Sequence, residues 1–144
     1  MSWLLTVETR QPASSAMAIR YALDASALLC LLKEENGKER VRAALTEAAI
    51  SSVNYSEVVA KIVERGGDLA LVQAMLDPLH LTVIDFDRAQ ALSAGEMRRD
   101  TQRLGLSLGD RSCLALAKSR DLTALTTDKA WLDLDLGVTT ECVR

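Results

Sequence analysis

At 144 residues and a net charge of −3, the chain is sized for one domain that buries roughly two-thirds of its unfolded surface. Its hydrophobic share of 49% and charged share of 26% are those of an ordinary globular protein, and its acidity argues against a dedicated nucleic-acid coat. Cys30, Cys113 and Cys142 form no CxxC or Cys/His pattern, which argues against zinc and against a disulfide framework, and no apolar run nears the ~18 residues of a membrane span.

Residues 1–17 are expected to form a flexible extension, since TRQPASSAM is small, polar and without periodicity. The domain is expected to span 18–144, with Met17 a candidate natural start. MSWLLTV lacks the basic stretch of a signal peptide, so a cytoplasmic protein is expected. IRYALD reads as a short buried strand. ASALLCLLKEE reads as a helix with Leu28, Leu29, Leu31 and Leu32 apolar, broken by Asn36-Gly37. A second helix is predicted over 38–48, with Val41, Leu45 and Ala48 on one face, and AAISS reads as a strand. From Asn54, the apolar residues Tyr55, Val58, Val59, Ile62 and Val63 form an amphipathic stripe that stops at Gly66-Gly67.

A further helix is predicted from Leu69 to Leu76, ended by Asp77-Pro78, and LTVIDF follows as a strand. A long polar helix over 87–104 carries Arg98, Arg99 and Arg103, whose default role is a solvated face. An apolar helix over 108–120 precedes the strand LTALTT, the helical turn KAWLD and a final strand in LGVTTECV. This alternation predicts an α/β fold, a mostly parallel central sheet flanked by helices. Cys30 and Cys113 lie in apolar runs and read as buried reduced thiols.

Four acids stand where a strand or loop feeds a helix: Asp24, Glu57, Asp110 and Asp128. Each has a plain explanation. Asp24 and Asp128 could cap the turns that follow them. Glu57, three after Asn54, and Asp110, three after Ser107, have capping-box spacing. Together they suggest more, because all four fall on the carboxyl edge of a parallel sheet, where such folds bind ligands. Two carboxylates ~4 Å apart repel by about 4 kcal/mol at an effective dielectric of about 20. A divalent cation offsets that repulsion, and an all-oxygen set suits Mg²⁺ or Mn²⁺. Asp85 and Asp87 also follow a strand, but Asp87 is most simply a helix cap. Asp133, Asp135 and the lone His80 read as solvated or structural.

With these motifs in order, the chain resembles a PIN-domain ribonuclease, specifically a VapC-type toxin of a bacterial toxin–antitoxin pair. LDASALL, SSVNYSEVVAKI, LSLGDRSCLALA and LTTDKAW carry the resemblance, which runs from about Ile19 to the C-terminus. It implies a single PIN domain and an acidic site of Asp24, Glu57, Asp110 and Asp128. Asp24 and Asp110 would be the main metal ligands. Ser26 and Thr126 would orient carboxylates or water from behind. The implied activity is Mg²⁺-dependent endoribonuclease cleavage by a metal-activated water, leaving a 3′-hydroxyl and a 5′-phosphate, with Mn²⁺ a substitute. The implied partners are an RNA substrate, a homodimer mate and a cognate VapB-type antitoxin, with no membrane. The resemblance also puts the VIDF strand at a sheet edge, away from the site. A metal-dependent phosphatase or DNA nuclease stays open beside this, as does a PIN module that binds without catalysis. A DxD after the first strand would favour a phosphatase, and here the sequence is DAS.

Overall fold

The computed structural model describes residues 18–144, so the expected extension over 1–17 lies outside the described residues. Five strands form one sheet: β1 (Tyr21–Leu23), β2 (Ala48–Ser51), β3 (Thr82–Ile84), β4 (Thr123–Thr126) and β5 (Thr140–Cys142). Their order is β3-β2-β1-β4-β5 and every pairing is parallel. Seven α-helices lie among the described residues: α1 (Ala25–Leu32), α2 (Lys38–Ala44), α3 (Ser52–Glu64), α4 (Leu69–Leu76), α5 (Arg88–Glu96), α6 (Arg98–Thr101) and α7 (Leu108–Arg120). From β1 the chain winds outward through β2 to β3, then crosses back to β4 and continues to β5. The reversal falls between β1 and β4, the usual place for a site in an open parallel sheet.

The two sheet faces differ, because side chains alternate along a strand. Leu23, Ile50 and Leu125 stand in register across β1, β2 and β4 and meet Leu28 and Leu31 of α1, Val41 of α2, Val58 of α3 and Val72 of α4. Their neighbours Ala22, Ala49 and Ala124 are also in register and face the other way, toward Cys113, Leu114 and Ala117 of α7. Three methyl-sized side chains in a row let α7 lie close on the sheet, near enough for the Cys113 thiol to reach the Ala22 carbonyl at 3.7 Å. Cys30 and Cys113 are free and buried, as their apolar settings predict.

Several boundaries differ from the predicted ones; the first helix, for one, ends at Leu32 rather than at Glu35. The helix predicted over 38–48 ends at Ala44, a 3₁₀ turn follows over Leu45–Glu47, and Ala48 opens β2. The third helix begins at Ser52 rather than Asn54, because the Ser51 hydroxyl accepts a hydrogen bond from Val53 N at 3.2 Å and caps it. The polar helix predicted over 87–104 breaks into α5, α6 and a 3₁₀ turn over Gln102–Leu104. There Met97 turns into the core, and the Thr101 hydroxyl donates to its carbonyl at 2.9 Å, competing with the helical ladder. Of the predicted strand LTVIDF, Thr82–Ile84 forms the edge strand β3, and Asp85 and Phe86 lie beyond it.

Candidate active site

Asp24 follows the last residue of β1 and occupies the capping position of α1, yet its side chain makes no capping bond. Instead it is buried and faces Thr126, the last residue of the adjacent strand β4. Its Oδ2 accepts from Ser26 Oγ at 2.7 Å and from Thr126 Oγ1 at 3.1 Å. Those hydroxyls are oriented in turn by backbone donors. Thr127 N donates to Ser26 Oγ and Asp128 N to Thr126 Oγ1, each at 3.1 Å. Both side-chain bonds thus converge on Oδ2, and the hydroxyl protons are directed at Asp24.

Burial pushes the Asp24 carboxyl from 3.8 up to about 7. The two hydroxyl hydrogen bonds pull it down, while the charges of Asp110 and Glu57 push it further up. Asp24, Glu57 and Asp110 therefore lie within electrostatic reach of one another. The same three carboxylates, together with complete burial, hold the Cys113 thiol well above its ordinary range, so it sits beneath the site as an inert thiol.

Asp110 sits in the first turn of α7 and closes a capping box: Ser107 N donates to Asp110 Oδ2 at 2.9 Å, and Asp110 N to Ser107 Oγ at 3.1 Å. Asp128 is exposed and caps the 3₁₀ turn Lys129–Asp133, accepting from Ala130 N at 2.9 Å. It reaches Asp24 only through the Thr126 hydroxyl. Glu57 is not part of a capping box, since α3 starts two residues before Asn54. It lies in the second turn and accepts from Asn54 Nδ2 at 2.9 Å.

Two of the four acids thus have a helix-capping bond. Among the described residues, no group of three or more Asp, Glu, His or Cys side chains is arranged to hold a metal ion as they are turned here. The donor chemistry nonetheless fits a hard divalent cation. Asp24, at the switch point, is held toward neutrality by burial and, less strongly, by the charges of Asp110 and Glu57, and the nearby Asn54 Oδ1 is a buried acceptor without a partner.

The decoys lie elsewhere. Asp87 caps α5 by accepting from Gln90 N at 2.8 Å, and Asp85 is exposed beyond the edge strand β3. His80 is exposed in a left-handed conformation (φ 50°). Arg98, Arg99 and Arg103 are exposed, and Arg99 and Arg103 share a cleft with Asp100, Asp133 and Asp135.

Sequence reasoning passes over two residues that touch the site. Asn54 is fully buried and donates both to Glu57 Oε1 and to Gly109 O, the latter at 2.8 Å. Gly109 stands in the first turn of α7, where an added Cβ would overlap both carboxylate oxygens of Glu57. A glycine inside a helix, costing roughly 1 kcal/mol against alanine, is the one signal that points to such a packing demand.

A five-stranded parallel sheet flanked by helices, with Asp24 buried at its switch point, defines an α/β protein. The PIN domain family model matches residues 21–136, and the chain belongs to that family. Among solved structures, the chain is similar to the DNA-bound VapBC of Salmonella typhimurium at 21% identity, with a TM-score of 0.66 over 88% of this chain and 99% of that one. It is also similar to the promoter-DNA-bound VapBC2 of Rickettsia felis, at 19% identity and TM-score 0.67 over 85% of this chain and 98% of that one. A toxin–antitoxin complex from Klebsiella pneumoniae matches at 19% identity and TM-score 0.67, over 86% of this chain and 98% of that one. At these identities the likeness is one of fold. No curated protein matches the sequence.

Proposed function

We propose that the protein is a divalent-metal-dependent endoribonuclease of the VapC toxin type, acting in the cytoplasm and restrained by a cognate antitoxin. The observation that carries this is Asp24: a strand-terminal carboxylate, buried, fixed by two hydroxyls and pushed up to about 7 in the company of Asp110 and Glu57. A buried carboxylate without a cationic partner costs stability, so Asp24 is kept in its place for another reason.

Asp24 and Asp110 would hold Mg²⁺ or Mn²⁺ directly, with Glu57 and Asp128 completing the site. When bound, the cation would offset the carboxylate charges, lower the pKa of a water and offset charge on the leaving oxygen. Ser26 and Thr126 occupy Asp24 Oδ2 and leave Oδ1 to a ligand. Asp128, exposed at the rim, is placed where an RNA strand would arrive. Cleavage would leave a 3′-hydroxyl and a 5′-phosphate, and none of it needs the remote His80.

Two further features support the partners. An apolar groove of about 330 Å³ between α1, α3 and α4, lined by Leu29, Leu32, Ile62, Leu71 and Met75 and edged by Lys33, Lys61 and Arg65, suits an apolar, acidic antitoxin segment. The solved structures of similar fold include VapBC complexes, and a homodimer is part of the same reading. Among the described residues, no helix is long and apolar enough to cross a membrane. The capping roles of Asp110 and Asp128 favour one competing reading, a PIN module that binds without cutting. Purified protein incubated with RNA separates the two. Cleavage with Mg²⁺ that stops in EDTA and in Asp24→Asn and Asp110→Asn supports the nuclease. Equal activity in both variants, or no cleavage under any metal, rejects it.

A further inference from the structure

We propose that Asn54 is a positioning residue: one buried amide nitrogen ties the Glu57 carboxylate to the amino-terminal turn of α7, in a notch left open by Gly109, and so delivers Glu57 to the acidic site. The proposal rests on the cation reading above and adds to it two residues which that reading does not use.

Asn54 and Glu57 are three apart on α3 and therefore neighbours on one helix face. Both bonds from Asn54 leave from Nδ2, one to Glu57 Oε1 at 2.9 Å and one to Gly109 O at 2.8 Å. The amide cannot be turned the other way. Its oxygen would then face a carboxylate and a carbonyl, three acceptors without a proton among them. The correct orientation has its own cost, because Oδ1 is left buried without a partner. A leucine would remove the unpaired oxygen but would also take the donor from Glu57 Oε1 and Gly109 O, so what the asparagine supplies here is that pair of bonds.

Gly109 supplies the other half of the seat. Its carbonyl receives Asn54, and its missing side chain makes room for both oxygens of Glu57. The next residue is Asp110, so the same contact fixes the spacing between the second and third acids. Two segments 55 residues apart in sequence are thereby held in one arrangement at the carboxyl edge of the sheet.

The test compares Mn²⁺ affinity, read by titration calorimetry or the loss of free-ion EPR signal, with metal-free unfolding in urea. The variants are Asn54→Leu and Gly109→Ala. Gly109→Ala should keep or raise metal-free stability by relieving a helical glycine while the flexible end of Glu57 moves aside; Asn54→Leu loses an unpaired buried oxygen but also the donor to Glu57 Oε1 and Gly109 O, so its metal-free stability should change little or fall. Both should weaken Mn²⁺ binding by about 10- to 100-fold. In a Glu57→Gln background, Asn54→Leu should cause no further loss. Unchanged Mn²⁺ affinity in Asn54→Leu and Gly109→Ala overturns the proposal, as does an undiminished loss in the Glu57→Gln background. Wild-type protein that binds no Mn²⁺ rejects the cation reading itself and the positioning role with it, an outcome visible before any variant is made.

Discussion

Replacing Asp24 by asparagine should stabilise the metal-free protein, and by more at higher pH. The folded carboxyl keeps its proton up to about pH 7, whereas the reference value is 3.8. Folding therefore takes up a proton between those values. The stability this contributes is complete below 3.8 and is lost as pH rises through about 7. At about 1.4 kcal/mol per pH unit, the whole span amounts to about 4 kcal/mol. Roughly 3 kcal/mol of it falls between about pH 5 and about pH 8. Asparagine keeps an oxygen for Ser26 Oγ and Thr126 Oγ1 to donate to and carries no charge. Urea unfolding in EDTA should show the variant gaining on wild type by that amount across the interval. A gap that stays constant, or a variant less stable than wild type at the upper end, would refute the claim that Asp24 is an electrostatically disfavoured, buried carboxylate.

A divalent cation should reverse that penalty: Mg²⁺ or Mn²⁺ at about 100 times its dissociation constant should add about 2.7 kcal/mol, raising the melting temperature by several degrees. Asp24→Asn and Asp110→Asn should abolish the shift, and an equal shift in both would place the cation elsewhere. Ala22→Leu should cost about 1–3 kcal/mol in urea unfolding, because α7 lies directly on the alanine face of the sheet; a neutral result would mean the helix is not held there. Ser107→Ala should cost about 1 kcal/mol by opening the capping box at the start of α7, and a loss within error would show that the box is not formed in solution.

Most of the fold was legible because the strands are short buried runs and the helices carry clear apolar stripes. Leu23, Ile50 and Leu125 could be assigned to strands from their neighbours alone, and the alternation of strands and helices required a parallel sheet. The start of α3 was misplaced because Ser51, Ser52 and Asn54 are all good capping residues, and only the backbone shows that Ser51 takes the role. The polar segment 87–104 read as one helix because nothing in its sequence announces that Met97 turns inward.

The acids were legible as a set, and the alternative explanation of each as a cap was legible too. The carboxylate of Asp110 caps α7 while its charge acts on Asp24. What could not be read was the seat of Glu57. Asn54 and Gly109 come together only when α3 and α7 pack, and no local pattern encodes that distance.

The proposed activity depends on where a divalent cation binds. A crystal soaked in Mn²⁺ and measured for anomalous scattering gives the position directly. The expected peak lies within coordination distance of the Asp24 and Asp110 carboxylates, with Glu57 beside it. A crystal with no peak there, or with its peak at Asp85 and Asp87 beyond the edge strand, would contradict it.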